Sequence, residues 1–241
     1  MLVAAALVPD TALLVPGAGG VADAGAVLRA DALAAVVDVA SSGARVTVVA
    51  PGPADRTRAA PVRGSLSAAG IPDRLLAWPA PGPAGAQVAG VPASVALLLL
   101  AQAGAHASSV VEVASTDDDP RGRARVLRDL GAGLVQDAPT ALVVVGSGSG
   151  RHGPEAPLAD DPRAPAYDDA LVRALADAGP DARARLAALD PATAAELAVT
   201  GWAPWQVLLG AAGDAQVTAR LLARHVLAGA THAVLTWRVG P

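Results

Sequence analysis

Asp10 stands directly behind the first apolar run of the chain, in Pro9-Asp10-Thr11. A carboxylate at a strand end is well placed for a site, and equally well placed to cap a turn. A second polar cluster follows a later apolar run: Gly146-Ser147-Gly148-Ser149-Gly150, with His152 two residues on. Ligands of open α/β sheets gather outside the C-terminal ends of strands. Asp10 and the segment Gly146, Ser147, Gly148, Ser149 and Gly150 are therefore the pocket candidates, and Asp10 and His152 the catalytic candidates. A simple turn is the plainer reading of the glycine segment.

The spacing G-x-G-x-G excludes more than it assigns. It is neither a dinucleotide fingerprint nor a P-loop, because no Lys follows and no helix starts promptly. The nucleophile elbow G-x-S-x-G is missed by one position, since the centre is Gly148. Ser147 or Ser149 would be a nucleophile only with a His and an acid nearby. The four His are His106, His152, His225 and His232. No two of them have the spacing of a metal pair on one element. His106, His225 and His232 are expected at the surface or at strand ends. Glu occurs only at 112, 155 and 196, so paired-carboxylate chemistry would lean on Asp. The run Asp117-Asp118-Asp119, after Thr116 and before Pro120, suits a helix N-terminus better than a metal loop.

Composition narrows the class. Of the 241 residues, 53% are hydrophobic and 17% charged, and there is no Phe, so Val, Leu, Ala and four Trp must build the core. Every basic side chain is Arg, and they are scattered; with a net charge of −4 and no aromatic platform, nucleic acid is an unexpected partner. No Cys means no disulfide, no thiolate nucleophile and no zinc–thiolate site. The N-terminal run Leu2 to Val8 lacks a basic flank, and Val95 to Ala101 is far shorter than the ~18 apolar residues of a membrane span. A cytoplasmic location without membrane insertion is the expectation.

The elements that must position these residues follow from periodicity. Leu2 to Val8, Arg45 to Ala50, Ser109 to Ala114 and Ala141 to Val145 are short, continuously apolar runs, as expected for strands buried on both faces. Helical spacing covers Ala22 to Ala40, Pro92 to Ala103, Pro120 to about Leu130 with Gly131 as its stop, Pro165 to Ala178, Ala182 to Leu189, Pro191 to Val199 and Pro204 to Ala212. Gln216 to Ala223 and His232 to Trp237 read as extended. Pro51 to Gly90 is rich in Pro and Gly. It reads as loops with a short strand near Leu75 to Trp78, held to the domain by burial of Leu66, Ile71, Leu75 and Leu76. The expected fold is a single α/β domain over residues 1–241, with a central, mostly parallel or mixed sheet and helices on both faces.

Several segments resemble the class III extradiol ring-cleavage dioxygenase family, in its Ala-rich actinobacterial branch. Val8-Pro9-Asp10-Thr11-Ala12-Leu13-Leu14-Val15-Pro16 is similar to that family's P-H-P-P-L-L-V-P, and Val144 to Gly150 to its later strand-plus-G-D-x-S motif. Asp161-Pro162-Arg163-Ala164 with Tyr167-Asp168, and Ala203-Pro204-Trp205-Gln206-Val207-Leu208 with Gly210-Ala211, resemble further segments. The resemblance implies a non-haem Fe(II) held by two His and a carboxylate, with a further His as acid/base. Carried over by position, the first ligand falls on Asp10, the second in Ala50-Pro51-Gly52-Pro53, the carboxylate near Gly201 and the acid/base His near Gly150, two residues before His152. The expected ligands are missing.

The resemblance with those departures implies a non-catalytic or divergent homologue that binds a small molecule or serves as a partner subunit, with no metal and no cofactor. Self-association is the partner expectation. One alternative is an active Fe(II) dioxygenase opening catechol-type rings with a site rebuilt around Asp10 and His152. Another is a metal-independent hydrolase using Gly146 to Gly150.

Overall fold

The computed structural model of the protein describes residues 1–19, 23–80, 82–83, 85–116, 120–156 and 158–240. In chain order the strands are β1 (Leu2–Val8), β2 (Arg45–Pro51), β3 (Arg56–Ala59), β4 (Val62–Arg63), β5 (Gln87–Val88), β6 (Ser109–Val113), β7 (Thr140–Val145), β8 (Val217–Leu227) and β9 (Ala230–Val239). The helices are α1 (Ala26–Ala40), α2 (Val91–Gln102), α3 (Pro120–Leu134), α4 (Ala164–Asp177), α5 (Pro180–Ala187), α6 (Pro191–Glu196) and α7 (Trp202–Ala212). Asp117 to Asp119, expected to begin a helix, lie outside the described residues.

Among the described residues one sheet of seven strands runs in the order β3-β6-β2-β7-β1-β9-β8. Its centre, β6-β2-β7-β1, is parallel, and β9, β8 and β3 are antiparallel additions. The four continuously apolar runs are the parallel strands, as burial under helices on both faces requires. Side chains alternate across the sheet. Ala5 and Leu7 of β1 and Leu142 and Val144 of β7 face the layer of α3 to α7. Ala4, Ala6 and Val8, with Val143 and Val145, face α1 and α2. With no Phe to use, the α3–α7 layer is filled by Trp202, Trp205 and Trp237. The indole N–H of Trp202 donates to the Leu189 carbonyl and that of Trp237 to the Leu175 carbonyl, so these rings are buried without an orphan donor. No helix is long and apolar enough to cross a membrane.

Three expectations need correction. α3 continues through Gly131 to Leu134. Gly131 marks a helix crossing: a Cβ there would lie 1.9 Å from the Val207 carbonyl oxygen of α7, and one on Gly210 equally close to the Arg128 carbonyl oxygen. Bare backbone on both helices lets them pack at this distance. No strand forms at 75–78; Asp73–Leu75 is a 3-10 turn. Leu75 is 58% exposed, whereas Leu66 is fully buried. The excursion from 52 to 90 is tied down by polar groups as well. Glu112 of β6 pairs with Arg58 and accepts the Gly90 N–H at 2.6 Å. Asp73 accepts from Ser65 Oγ (2.9 Å), the Leu66 N–H (3.2 Å) and Arg63 (2.9 Å).

Candidate functional site

β7 lies between β2 and β1, so the glycine segment leaves the sheet beside the end of β1. Gly146 N–H donates to the Val8 carbonyl at 2.9 Å and extends that ladder by one rung. The segment then runs along the start of β9: Gly148 N–H donates to Thr231 O (2.8 Å), and Thr231 N–H to Ser149 O (3.0 Å). On its other side Gly150 N–H and the Ser149 hydroxyl both donate to the Leu197 carbonyl, at 3.1 and 2.9 Å. All five residues are buried. This is a stitched segment, and two of its glycines are required by crowding. A Cβ on Gly146 would lie 2.3 Å from Gly201 Cα, and one on Gly148 would lie 2.7 Å from Asp168 Oδ1; one on Gly150 meets only ordinary contacts.

Alternation sends Ser147 toward the α1–α2 face. There its hydroxyl donates to Asp10 Oδ1 at 2.5 Å and lies 2.9 Å from His232 Nδ1. The serine has one proton; with that proton on Asp10, the ring is the donor at Nδ1. Burial pushes the His232 imidazole below its ordinary pKa. Asp10 and the Leu227 carbonyl oppose the shift, and the cross-strand His225 adds slightly to it. His232 is 4% exposed, against the expectation of a surface position: its neighbours in phase, Val234 and Thr236, are buried too. His225 and His106 are exposed. Asp10 does not cap the turn that follows; Thr11 does, accepting the Leu13 N–H.

Across the sheet lies a second polar chain. Asp168 of α4 is fully buried. Its Oδ1 accepts the Ser149 N–H at 2.9 Å, and its Oδ2 lies 2.6 Å from His152 Nε2. Thr231 Oγ1 lies 3.0 Å from the same ring nitrogen. A carboxylate on Nε2 places the proton there and leaves Nδ1 of neutral His152 as the basic atom.

The order of groups decides what chemistry is open. In an acyl-transfer triad the acid sits on the far nitrogen of the base. Here the Asp10 carboxylate sits on the serine oxygen itself, so an alkoxide at Ser147 would form against a negative charge. Ser149 donates to a carbonyl and has no base beside it.

An iron centre does not fit the residues present. Asp10 is engaged by Ser147. The end of β2, Ala50-Pro51-Gly52-Pro53, has no ligating side chain. At Gly201 a Cβ would lie 2.1 Å from Trp205 Cζ2, so a carboxylate has no room there. Among the described residues no group of three or more His, Cys, Asp or Glu converges to hold a metal ion.

A cleft of about 200 Å³ opens at the ends of β2 and β6, lined among others by Pro51, Ser115, Ala198, Thr200 and Trp202. Thr200 joins it to the site, since its Oγ1 accepts the Ser147 N–H at 2.9 Å. Ala198 on its wall has φ +56°, a left-handed conformation that a non-glycine residue adopts at some cost.

The structure thus joins Asp10 to Ser147 and links Gly148, Ser149 and His152 through Asp168. Asp10 and His152 belong to separate chains of polar contacts. Sequence reasoning missed His232, Thr231 and Thr200, and gave Asp168 no role. Asp168 did leave a signal: it interrupts the stripe Ala164, Leu171, Val172, Leu175 at helical spacing, and a lone acid on a buried stripe needs partners.

No family model and no curated protein matches the chain. Among solved structures it is similar to the crystal structure of the uncharacterized protein JW3007 from Escherichia coli K12, at 14% identity and a TM-score of 0.51, covering 98% of this chain and 99% of that one. The likeness is one of fold.

Proposed function

We propose that this chain is a divergent homologue of the class III extradiol dioxygenases that binds a small molecule at its strand ends and does not open catechol rings. The observation that carries this reading is the Asp10–Ser147 contact: the carboxylate at the first ligand position is committed to a serine hydroxyl. Iron in this chemistry needs about three protein ligands, with positions left free for substrate and oxygen. A single, already engaged carboxylate does not supply them. The cleft beside Thr200 has the size of a single-ring molecule and offers two hydroxyls, Ser115 and Thr200, in an otherwise apolar lining.

Anaerobic reconstitution with Fe(II), removal of excess metal and measurement of bound iron test the proposal, together with the absorbance of ring-opened product from protocatechuate-like catechols. No stoichiometric iron and no product are expected. Stoichiometric iron that is lost in Asp10→Ala would overturn the reading in favour of an active dioxygenase. Self-association, implied by the same resemblance, is read from sedimentation of the purified chain.

A further inference from the structure

Away from the strand ends, a groove of about 690 Å³ runs between α4 and α5. Its volume lies in the range of small-molecule sites. Ala170 and Ala174 leave the α4 wall low where larger side chains would fill it, and Leu171, Leu186 and Leu189 make the rest apolar.

Two polar features in this groove lack partners. The Tyr167 hydroxyl is buried with no hydrogen-bond partner among the described residues. Buried polar groups are almost always paired, so an orphaned hydroxyl calls for a missing acceptor. Burial, reinforced by the Asp168 and Asp190 carboxylates, pushes its pKa up to about 12, so the group stays protonated and acts as a donor. Arg173 is exposed and makes no ion pair among the described residues. Arg185 meets Asp177 only at 3.7 Å, with both side chains more than half exposed. The rim therefore carries two guanidiniums against one carboxylate, a local positive excess on a chain of net charge −4.

We propose that the α4–α5 groove binds an aromatic carboxylate, with its anionic end at Arg173 and Arg185, its ring over Ala170 and Ala174, and an acceptor oxygen at its far end taking the Tyr167 hydroxyl. Tyr167 and Arg173 are six residues apart on one helix, about 9 Å along the axis. A ring with a short unsaturated arm, as in 4-hydroxycinnamate, matches that separation. This site is independent of the strand-end reading and can fail without it.

Calorimetric titration with 4-hydroxycinnamate and with cinnamate, which lacks the phenolic oxygen, tests the inference. Wild type is expected to prefer 4-hydroxycinnamate. Arg173→Ala should weaken both ligands about tenfold, the loss of one charge-assisted contact. Tyr167→Phe should bring 4-hydroxycinnamate to the level of cinnamate and leave cinnamate unchanged. Ala170→Trp, at an exposed position, should fill the groove and abolish binding with the fold intact by circular dichroism. Absence of binding by either ligand, or binding indifferent to Arg173→Ala and Ala170→Trp, overturns the proposal. So does a wild-type dimer that Ala170→Trp converts to monomer while ligand has no effect, because the occupant would then be a second copy of the chain.

Discussion

Thr231 and His232 are consecutive residues of β9 and serve two polar chains on opposite faces of the sheet. Thr231 reaches His152, held by Asp168, on the α4 side. His232 reaches Ser147, held by Asp10, on the α1–α2 side. One strand thus splits the polar groups around the glycine segment into two independent sets.

That separation predicts energetics. Ser147→Ala should cost about 1–2 kcal/mol, since it strips a hydrogen bond from a carboxylate and from a buried ring. Combined with Thr231→Val, the costs should add to within ~0.5 kcal/mol, despite the closeness of the two positions. Combined with Asp10→Ala, they should not add, because the two residues share one bond. Urea denaturation of the single and double variants measures the coupling.

His232 sets a pH dependence. Its folded pKa lies below the ordinary value of about 6.5. The unfolded chain therefore binds the proton more readily, and stability rises with pH across that window. Acidification from pH 7 should lower the denaturation midpoint from about pH 6.5 down to the folded value. His232→Asn should remove this slope; an unchanged slope would assign it to another group.

The glycines of the strand-end segment should differ sharply. Gly146→Ala meets the Gly201 backbone and Gly148→Ala the buried Asp168 carboxylate, so each should destabilise by about 1–3 kcal/mol. Gly150→Ala meets only ordinary contacts and should change stability by less than about 0.5 kcal/mol. Equal costs at all three positions would point to backbone conformation, not crowding, as the reason for glycine.

α3 offers a matched pair. Gly131→Ala should force α3 from α7 at a cost of about 1–3 kcal/mol. Gly133→Ala, exposed and with nothing within 4 Å of the added Cβ, should stabilise by about 0.5–1 kcal/mol through helix propensity. Thermal unfolding of both variants checks the signs.

Iron binding should not return with the missing side chains. In Asp10→His combined with Gly201→Glu, the glutamate has no room beside Trp205 and Gly146, and unfolding or an iron-free protein is expected. Stoichiometric iron in a folded double variant would show that the site had kept its shape.

Four continuous apolar runs were enough to place the parallel strands, because burial on both faces leaves no room for polar residues in them. Their flanking Asp10 and Gly146 to Gly150 were recognisable as strand-end residues for the same reason. The absence of ligating side chains at 50–53 and 201 was equally legible, since a missing side chain is a local fact. The stop at Gly131 was misread because a glycine that ends a helix and one that lets two helices touch look alike in one dimension. Tertiary structure alone decided that β7 lies beside β1, bringing Ser147 to Asp10 across 137 positions. It also decided that β9 passes the glycine segment with Thr231 and His232 turned to opposite faces. Local patterns record whether a residue is buried; strand order and register, settled by the packing of the whole sheet, choose the residue it meets there.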